Sequence, residues 1–138
     1  MWPAVRAALA GADPLRIENA CDEGTPDVNC VHGWIELKHV HAYPKRGGAV
    51  ALPHFRPSQR AWLLRRNAAG GRCWLLLRID RDWYLLPGMW AACRLGKGAD
   101  AEEIADAAET CWFGKAPDAA TMLAAFRGPH PIPEKATR

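Results

Sequence analysis

Three charged side chains lie in the most strand-like stretch of the sequence, where burial makes charge unfavourable. Asp27 lies in "TPDVNC", and Glu36 and Lys38 follow in "GWIELKHV". Two carboxylates that converge repel each other unless a cation lies between them. Mg²⁺ prefers oxygen ligands, so one or two carboxylates, a backbone carbonyl such as that of Leu37, a substrate phosphate and water can complete its coordination. These residue types therefore predict a metal-dependent phosphodiesterase.

Other polar residues can assist this reaction. Lys38 is two residues beyond Glu36, so the alternation of side chains in a strand places both on one face. An ammonium group there can orient an attacking water or neutralise charge that develops on the phosphate. Glu18, expected on a preceding helix, can bind a second ion or the nucleophilic water, because two-metal sites clamp both reacting oxygens. Gln59, on a later helix, can hydrogen-bond the water, Lys38 or a phosphate.

Each of these residues also has an ordinary structural explanation. Asp27 can serve as a turn residue, and Glu36 with Lys38 can form an exposed ion pair, which contributes little to stability. Glu18 can be a helix-surface acid. The combination favours an active site, because the three acids are spaced nine residues apart and a predicted hairpin brings Asp27 and Glu36 together.

Histidines offer a second metal hypothesis, in which His39 and His41 bind an ion together with His32 or His54. Alternation places His39 and His41 on the strand face opposite Glu36, which favours packing or phosphate contact instead. The five cysteines are scattered and form no CxxC pair, so the sequence predicts neither a zinc knuckle nor a disulfide framework. Reduced thiols are typical of cytoplasmic proteins.

The elements that must position these residues follow from turn signals and hydrophobic patterns. The dipeptide "HG" predicts a tight turn between two strands, and "PS" followed by an apolar run begins a helix that two glycines end. We predict helical segments at 2–10 and 14–20, strands at 27–32 and 34–41, a short strand at 49–52, a helix from 57, two strands within 72–88 that turn at 80–82, and helices at 100–112 and 117–126. This order predicts an α/β fold, a mixed central sheet flanked by helices, with extra C-terminal helices.

Length and composition bound the class of protein. The 138 residues predict one domain over 1–126, followed by a proline-rich tail over 127–138. About half of the residues are apolar and there are seven tryptophans, which is typical of a compact globule. No apolar run approaches the roughly 18 residues that span a bilayer, so we expect no membrane partner.

Basic residues are concentrated in the middle of the chain. Residues 33–81 carry ten basic and two acidic groups, a balance of +8, whereas the whole chain has a net charge of +3. A local field of this kind attracts phosphate, which suggests DNA as the partner. The predicted DNA contacts are basic residues near the proposed site: Arg16, Lys45, Arg46, Arg56 and Arg60. Such contacts supply affinity rather than sequence preference.

The spacing of Glu18, the "PD" that ends at Asp27 and the "ELK" at 36–38 resembles the PD-(D/E)xK nuclease superfamily. The core of that superfamily, which is like that of restriction endonucleases, is a helix, a short antiparallel sheet and a helix with a further strand. The segments "GTPDVN", "GWIELK" and "PSQRAWL" are similar to small phage nucleases near the Holliday-junction resolvase and VRR-NUC branches. A glutamine recurs there on the helix after the ExK strand, and Gln59 occupies the matching place. The resemblance covers about residues 16–86.

The resemblance implies an endodeoxyribonuclease that uses Mg²⁺, with Mn²⁺ substituting, and leaves a 5′-phosphate. It implies Asp27, Glu36, the Leu37 carbonyl and Glu18 as metal ligands, and Glu18, Asp27, Glu36, Lys38 and Gln59 as catalytic residues. Branched DNA is the expected substrate, because the resolvases work as homodimers whose paired active sites cut paired strands. The expected setting is phage or prophage DNA processing in the cytoplasm of a bacterial host.

Three alternatives stay open at the level of sequence. A nuclease or nickase of this type can act on duplex or flap DNA instead of junctions. A non-catalytic module of the same fold predicts tight, salt-sensitive DNA binding without cleavage. A histidine or cysteine metalloprotein predicts stoichiometric zinc after purification, and the lack of closed ligand spacing argues against it.

Overall fold

The computed structural model of the protein describes residues 1–129, and within them six strands form one mixed sheet. The strands lie side by side in chain order: β1 (Leu15–Arg16), β2 (Val28–Cys30), β3 (Gly33–Val40), β4 (Cys73–Ile79), β5 (Asp82–Pro87) and β6 (Thr110–Trp112). β3 and β4 are parallel, and every other neighbouring pair is antiparallel. The predicted α/β fold with a mixed central sheet is therefore confirmed.

Helices cover both faces of this sheet. They are α1 (Trp2–Ala8), which a 3₁₀ turn at Ala10–Ala12 follows, α2 (Pro57–Ala68), α3 (Gly88–Arg94), α4 (Ala101–Ala107) and α5 (Ala119–Arg127). Leu75 and Leu77 of β4 pack on one face with residues of α2, α3 and α4. Trp74 and Leu76 pack on the other face with residues of α1 and α5. Because β4 is buried on both faces, its sequence is almost continuously apolar.

The alternation predicted for β3 is confirmed. Trp34 and Val40 pack against the core beneath α2, whereas Ile35 and Leu37 pack against the core beneath α1 and α5. Glu36 and Lys38 therefore lie on the α2 face. The parallel connection from β3 to β4 runs through α2, as a parallel pair requires a crossover. This crossover places the start of α2 above the middle of β3.

Most of the predicted elements are observed. The hairpin of β2 and β3, the helix that begins at Pro57, the paired strands β4 and β5 and the helix within 117–126 all form. The predicted tail falls mainly at 130–138, outside the described residues. Within 1–129, no helix is both long enough and apolar enough to cross a membrane.

Three predictions of secondary structure are wrong. The segment 14–20 is not helical: β1 pairs with β2, and residues 17–19 have no regular structure. The predicted helix at 100–112 ends at Ala107, because residues 110–112 form the edge strand β6 against β5. The segment 49–52 is not a strand and contributes an isolated bridge between Ala49 and Asp100. At 14–20 and 100–112, pairing with another strand overrides the local helical pattern. At 49–52, the lack of a partner strand leaves the segment irregular.

Candidate active site

The register of the hairpin brings the two acids together. Val28 is paired with Ile35 in the antiparallel ladder, so one step further along the same register places Asp27 opposite Glu36. Directly opposed residues share a face of the sheet, with Cβ atoms about 4.5–5.5 Å apart. The Asp27 Oδ2 atom also accepts a hydrogen bond from the Leu37 amide at 2.8 Å. The Asp27 side chain, just before β2 begins, therefore bonds to the backbone of β3 beyond the last residue that β2 pairs with.

β1 holds Asp27 from its other side. The Arg16 guanidinium lies 3.0 Å from Asp27 Oδ1 and donates to the Asp27 carbonyl at 3.1 Å. The Ile17 amide donates to the same carbonyl at 2.8 Å. Arg16, predicted as a DNA contact, is thus paired with an acid of the site. It orients the Asp27 carboxylate and offsets part of its charge.

Glu36 is the most buried member of the site, with only 1% of its surface exposed. Its Oε1 atom accepts from Gln59 Nε2 at 2.8 Å and lies 3.0 Å from Lys38 Nζ. Its Oε2 atom is also buried, and no group within residues 1–129 hydrogen-bonds it. A buried polar atom without a partner is costly, so such an atom in a folded protein calls for an explanation.

Gln59 and Lys38 form a fixed pair above Glu36. Gln59 Oε1 accepts from Lys38 Nζ at 3.0 Å and from the Arg56 amide at 2.9 Å, so the Gln59 amino group must point to Glu36. Lys38 Nζ also donates to the His54 carbonyl at 3.1 Å, which gives its three protons three acceptors. The lysine is therefore held in one position by three separate parts of the chain.

The environment of Glu36 changes its acidity. The pKa of Glu36 is raised from its ordinary value of 4.5 to about 7: burial is the largest cause, the nearby negative charge of Asp27 adds to the rise, and Lys38 opposes it. The contribution of Asp27 follows from the proximity of the two carboxylates. A pair of acids held this closely favours either a shared proton or a cation between them.

This pKa predicts a pH-dependent stability. The folded pKa of about 7 exceeds the ordinary 4.5, so the contribution of Glu36 to stability is complete below pH 4.5 and is lost as the pH rises through 7. At 1.36 kcal/mol per pH unit, the loss is about 3 kcal/mol. We expect Glu36→Gln to raise the free energy of unfolding at pH 8 by about this amount. Urea titrations at pH 4.5 and pH 8 in EDTA measure it.

Glu103→Gln is the matched control for this comparison. Glu103, on α4 and far along the chain from the site, is a half-exposed acid that lies 3.0 Å from Arg94 of α3. An exposed pair of this kind contributes little, so this variant should follow the pH profile of the wild type. If Glu36→Gln also follows the wild-type profile, Glu36 does not titrate as described.

Other predicted site residues lie less centrally. Glu18 is exposed and is in the loop after β1, not on a helix, so its predicted placement is wrong. Lys45, Arg46 and Arg56 are exposed, as phosphate contacts require. Arg60 instead packs over the Phe55 ring at 4.1 Å and donates to the Ala92 carbonyl at 3.0 Å, so its guanidinium is partly engaged in the core.

The comparisons with known proteins do not assign the chain to a family. No protein-family model matches the chain, and no curated protein matches it. Within residues 1–129, no group of three or more histidine, cysteine or acidic side chains is arranged to hold a metal ion. The site therefore offers two carboxylates and backbone oxygen, and the histidine hypothesis gains no geometric support.

Sequence reasoning missed Gly24, which fits the loop carrying Asp27 against α2. Its φ of +85° is in the left-handed region, and a Cβ atom there would lie 2.3 Å from the Ser58 carbonyl oxygen. The "EGTP" turn is the sequence signal for such a glycine. The loop before Asp27 is therefore in direct backbone contact with the first turn of α2, which carries Gln59.

We expect Gly24→Ala to destabilise the protein more than Gly47→Ala. Gly47 has a φ of +72° but nothing within 4 Å of its Cβ position, so alanine there introduces only the left-handed strain of about 1–2 kcal/mol. Gly24→Ala adds a clash with helix backbone, worth a further 1–3 kcal/mol or so. Thermal unfolding of both variants measures the difference. Equal losses would mean that the loop and α2 do not pack as described.

Proposed function

We propose that the protein is a metal-dependent nuclease that hydrolyses phosphodiester bonds in DNA. The observation that carries the proposal is the Glu36 Oε2 atom, buried beside Asp27 and without a hydrogen bond from any described residue. An orphaned carboxylate oxygen next to a second acid fits a divalent cation, which supplies the missing charge and bonds. An ion pair that served only stability would need neither a second acid beside Glu36 nor a buried carboxylate oxygen without a hydrogen bond.

The order of elements around the site supports a PD-(D/E)xK core. α1 is followed by the short antiparallel strands β1, β2 and β3, then by α2 and the parallel strand β4. Asp27 immediately precedes β2, Glu36 and Lys38 are on β3, and Gln59 is in the first turn of α2. These are the places that the resemblance assigns to the acid, the ExK pair and the glutamine.

Asp27, Glu36 and the Leu37 carbonyl are the groups that would hold the ion. The amide and carbonyl of one strand residue point to the same neighbour, so the Leu37 amide bound by Asp27 shows that its carbonyl faces the same edge. When bound, Mg²⁺ would lower the pKa of water and stabilise charge on the phosphate. Glu18, two residues from Arg16 in an exposed loop, stays a candidate for binding water or a second ion.

The chain itself supplies orientation and charge. Gln59 fixes the Lys38 ammonium at one end of the acid pair, where its charge can neutralise charge on the phosphate; orienting a water would require it to release one of its three acceptors. Lys45, Arg46 and Arg56 are exposed and available to bind the sugar–phosphate backbone. Binding through such contacts weakens steeply with salt. Branched DNA is the favoured substrate on the resemblance to resolvases, which also suggests a homodimer.

A cleavage panel tests this proposal. Four-way junction, flap, single-stranded and linear duplex DNA of matched sequence are incubated with Mg²⁺, with Mn²⁺ and with EDTA. We expect cleavage that requires the metal and leaves a 5′-phosphate, with the junction cut faster than the duplex. Preference for duplex or flap would change the substrate but not the chemistry. Salt-sensitive binding with no cleavage in either metal would show a binding module instead.

A second test detects the ion without cleavage. Because a ligand that binds only the folded state raises its stability, Mg²⁺ should raise the melting temperature of the wild type at pH 8. Glu36→Gln removes one of the two acids and should show a much smaller rise. Glu103→Gln serves as the control and should behave as the wild type. An equal rise in all three proteins would place the ion elsewhere.

A further inference from the structure

One edge of β3 is open directly beyond the acid pair. β2 pairs with β3 only as far as Ile35, and within residues 1–129 no strand pairs with that edge from Glu36 onwards. The Leu37 amide points to this edge, where Asp27 accepts it. Because alternate strand residues point their backbone groups the same way, the amide and carbonyl of His39 face this edge as well. They are a free donor and acceptor beside the site.

A cleft of about 430 Å³ lies along this edge. Its apolar lining includes Val40 on one wall and Leu52 and Pro53 on the other, and Lys38, His41 and His54 add polar or basic groups. None of the residues that line it is acidic. The cleft shares Lys38 with the acid pair, so it is continuous with the candidate active site and complementary in charge to a phosphodiester strand.

We propose that this cleft holds one unpaired nucleotide of the DNA strand, next to the phosphate that is cut. The inference rests on the proposed function and names the feature that its substrate must have. A nucleobase has flat apolar faces and an edge of hydrogen-bond donors and acceptors. The aliphatic walls suit those faces, and the backbone groups of His39 suit that edge.

Paired DNA cannot use this cleft. In a duplex the base edges are paired and the faces are stacked, so a base enters a pocket only after it leaves the helix. Extrusion is easiest where the base is already unpaired, as at a junction, gap or flap. The cleft therefore selects DNA by the presence of an unpaired nucleotide and not by its sequence.

Filling the cleft tests the inference. Ala51 lines it and is exposed, so Ala51→Trp can block it without disturbing the core. Ala68→Trp, at an exposed position that ends α2, is the matched control. Binding is measured in EDTA by fluorescence anisotropy with two labelled probes: a duplex with a gap of three unpaired nucleotides, and the same duplex without the gap.

We expect the wild type and Ala68→Trp to bind the gapped probe more tightly than the intact one, by roughly tenfold for one stacked base. Ala51→Trp should lose that preference and keep its affinity for the intact duplex. Equal affinities for both probes in the wild type, or an equal loss for both in Ala51→Trp, would overturn the inference. If the open edge instead binds a peptide strand, the wild type should bind both DNA probes with equal affinity, which would overturn the inference.

This experiment separates the two proposals. Binding in EDTA needs no cleavage, so a gap preference that Ala51→Trp removes would support the cleft even if the metal panel shows no product. Conversely, metal-dependent cleavage with no gap preference would leave the nuclease standing and remove the cleft. Circular dichroism melting of both tryptophan variants establishes that they are folded before either result is interpreted.

Discussion

Asp27→Asn should reduce metal-dependent cleavage by about 10²–10³-fold, the range found when one preorganised group at a reacting charge is removed. Asparagine keeps an oxygen that can accept from the Leu37 amide, so the loop geometry should survive. What it removes is the negative charge that faces Glu36 and would bind the ion. Initial rates at saturating Mg²⁺ on the best substrate of the panel measure the loss.

The Asp27→Asn protein should remain folded. The Arg16–Asp27 pair is partly exposed, with 42% and 29% of the two side chains accessible, so losing its charge should change stability by about 1 kcal/mol or less. Asp22→Asn, an exposed acid in the same loop, is the matched control and should cut at the wild-type rate. Asp27→Asn with undiminished activity would remove Asp27 from the mechanism.

Lys38→Ala is the second variant with a large expected effect. It removes the ammonium beside the acid pair and should reduce cleavage by about 10²–10³-fold. It also leaves Glu36 buried without its cation, which typically destabilises a protein by about 3–5 kcal/mol. Because Glu36 is buried, this variant should lose stability as well as activity. Urea unfolding at pH 8 and single-turnover cleavage below the melting temperature separate the two effects.

Two comparisons make this result decisive. The double variant Lys38→Ala/Glu36→Gln should recover much of the lost stability, because no buried charge is left unpaired, yet it should stay inactive. Lys45→Ala removes an exposed lysine and should weaken binding modestly without changing the cleavage rate of bound DNA. Full activity in the Lys38→Ala protein would show that Lys38 is not part of the mechanism.

The centre of the site was predictable from local pattern. Period-two alternation places Glu36 and Lys38 on one face, and a tight turn brings Asp27 towards them, so both inferences need only short-range geometry. The contact of Gln59 with both depends on a crossover helix whose start is marked by proline. These signals lie within a few residues of the groups that they position.

The outer parts of the site depend on pairing across longer distances. The sequence predicts a helical segment at 14–20 that carries Glu18, but Leu15 and Arg16 pair with β2 instead. The engagement of Arg16 with Asp27, and of Arg60 with Phe55, likewise depends on tertiary contacts that no local pattern encodes. The orphaned Glu36 oxygen is visible only once burial is known.

The parallel pairing of β3 with β4 determines when during synthesis the site can form. The hairpin of β2 and β3 is local, but β3 gains its second neighbour only after the segment 41–72 has been made and has closed its crossover. Such long-range closure is slow compared with hairpin formation. A nascent chain that stops before β4 thus carries Asp27 and Glu36 on a hairpin that lacks its parallel neighbour. Any ion site formed by these two carboxylates would therefore be completed late, together with the sheet.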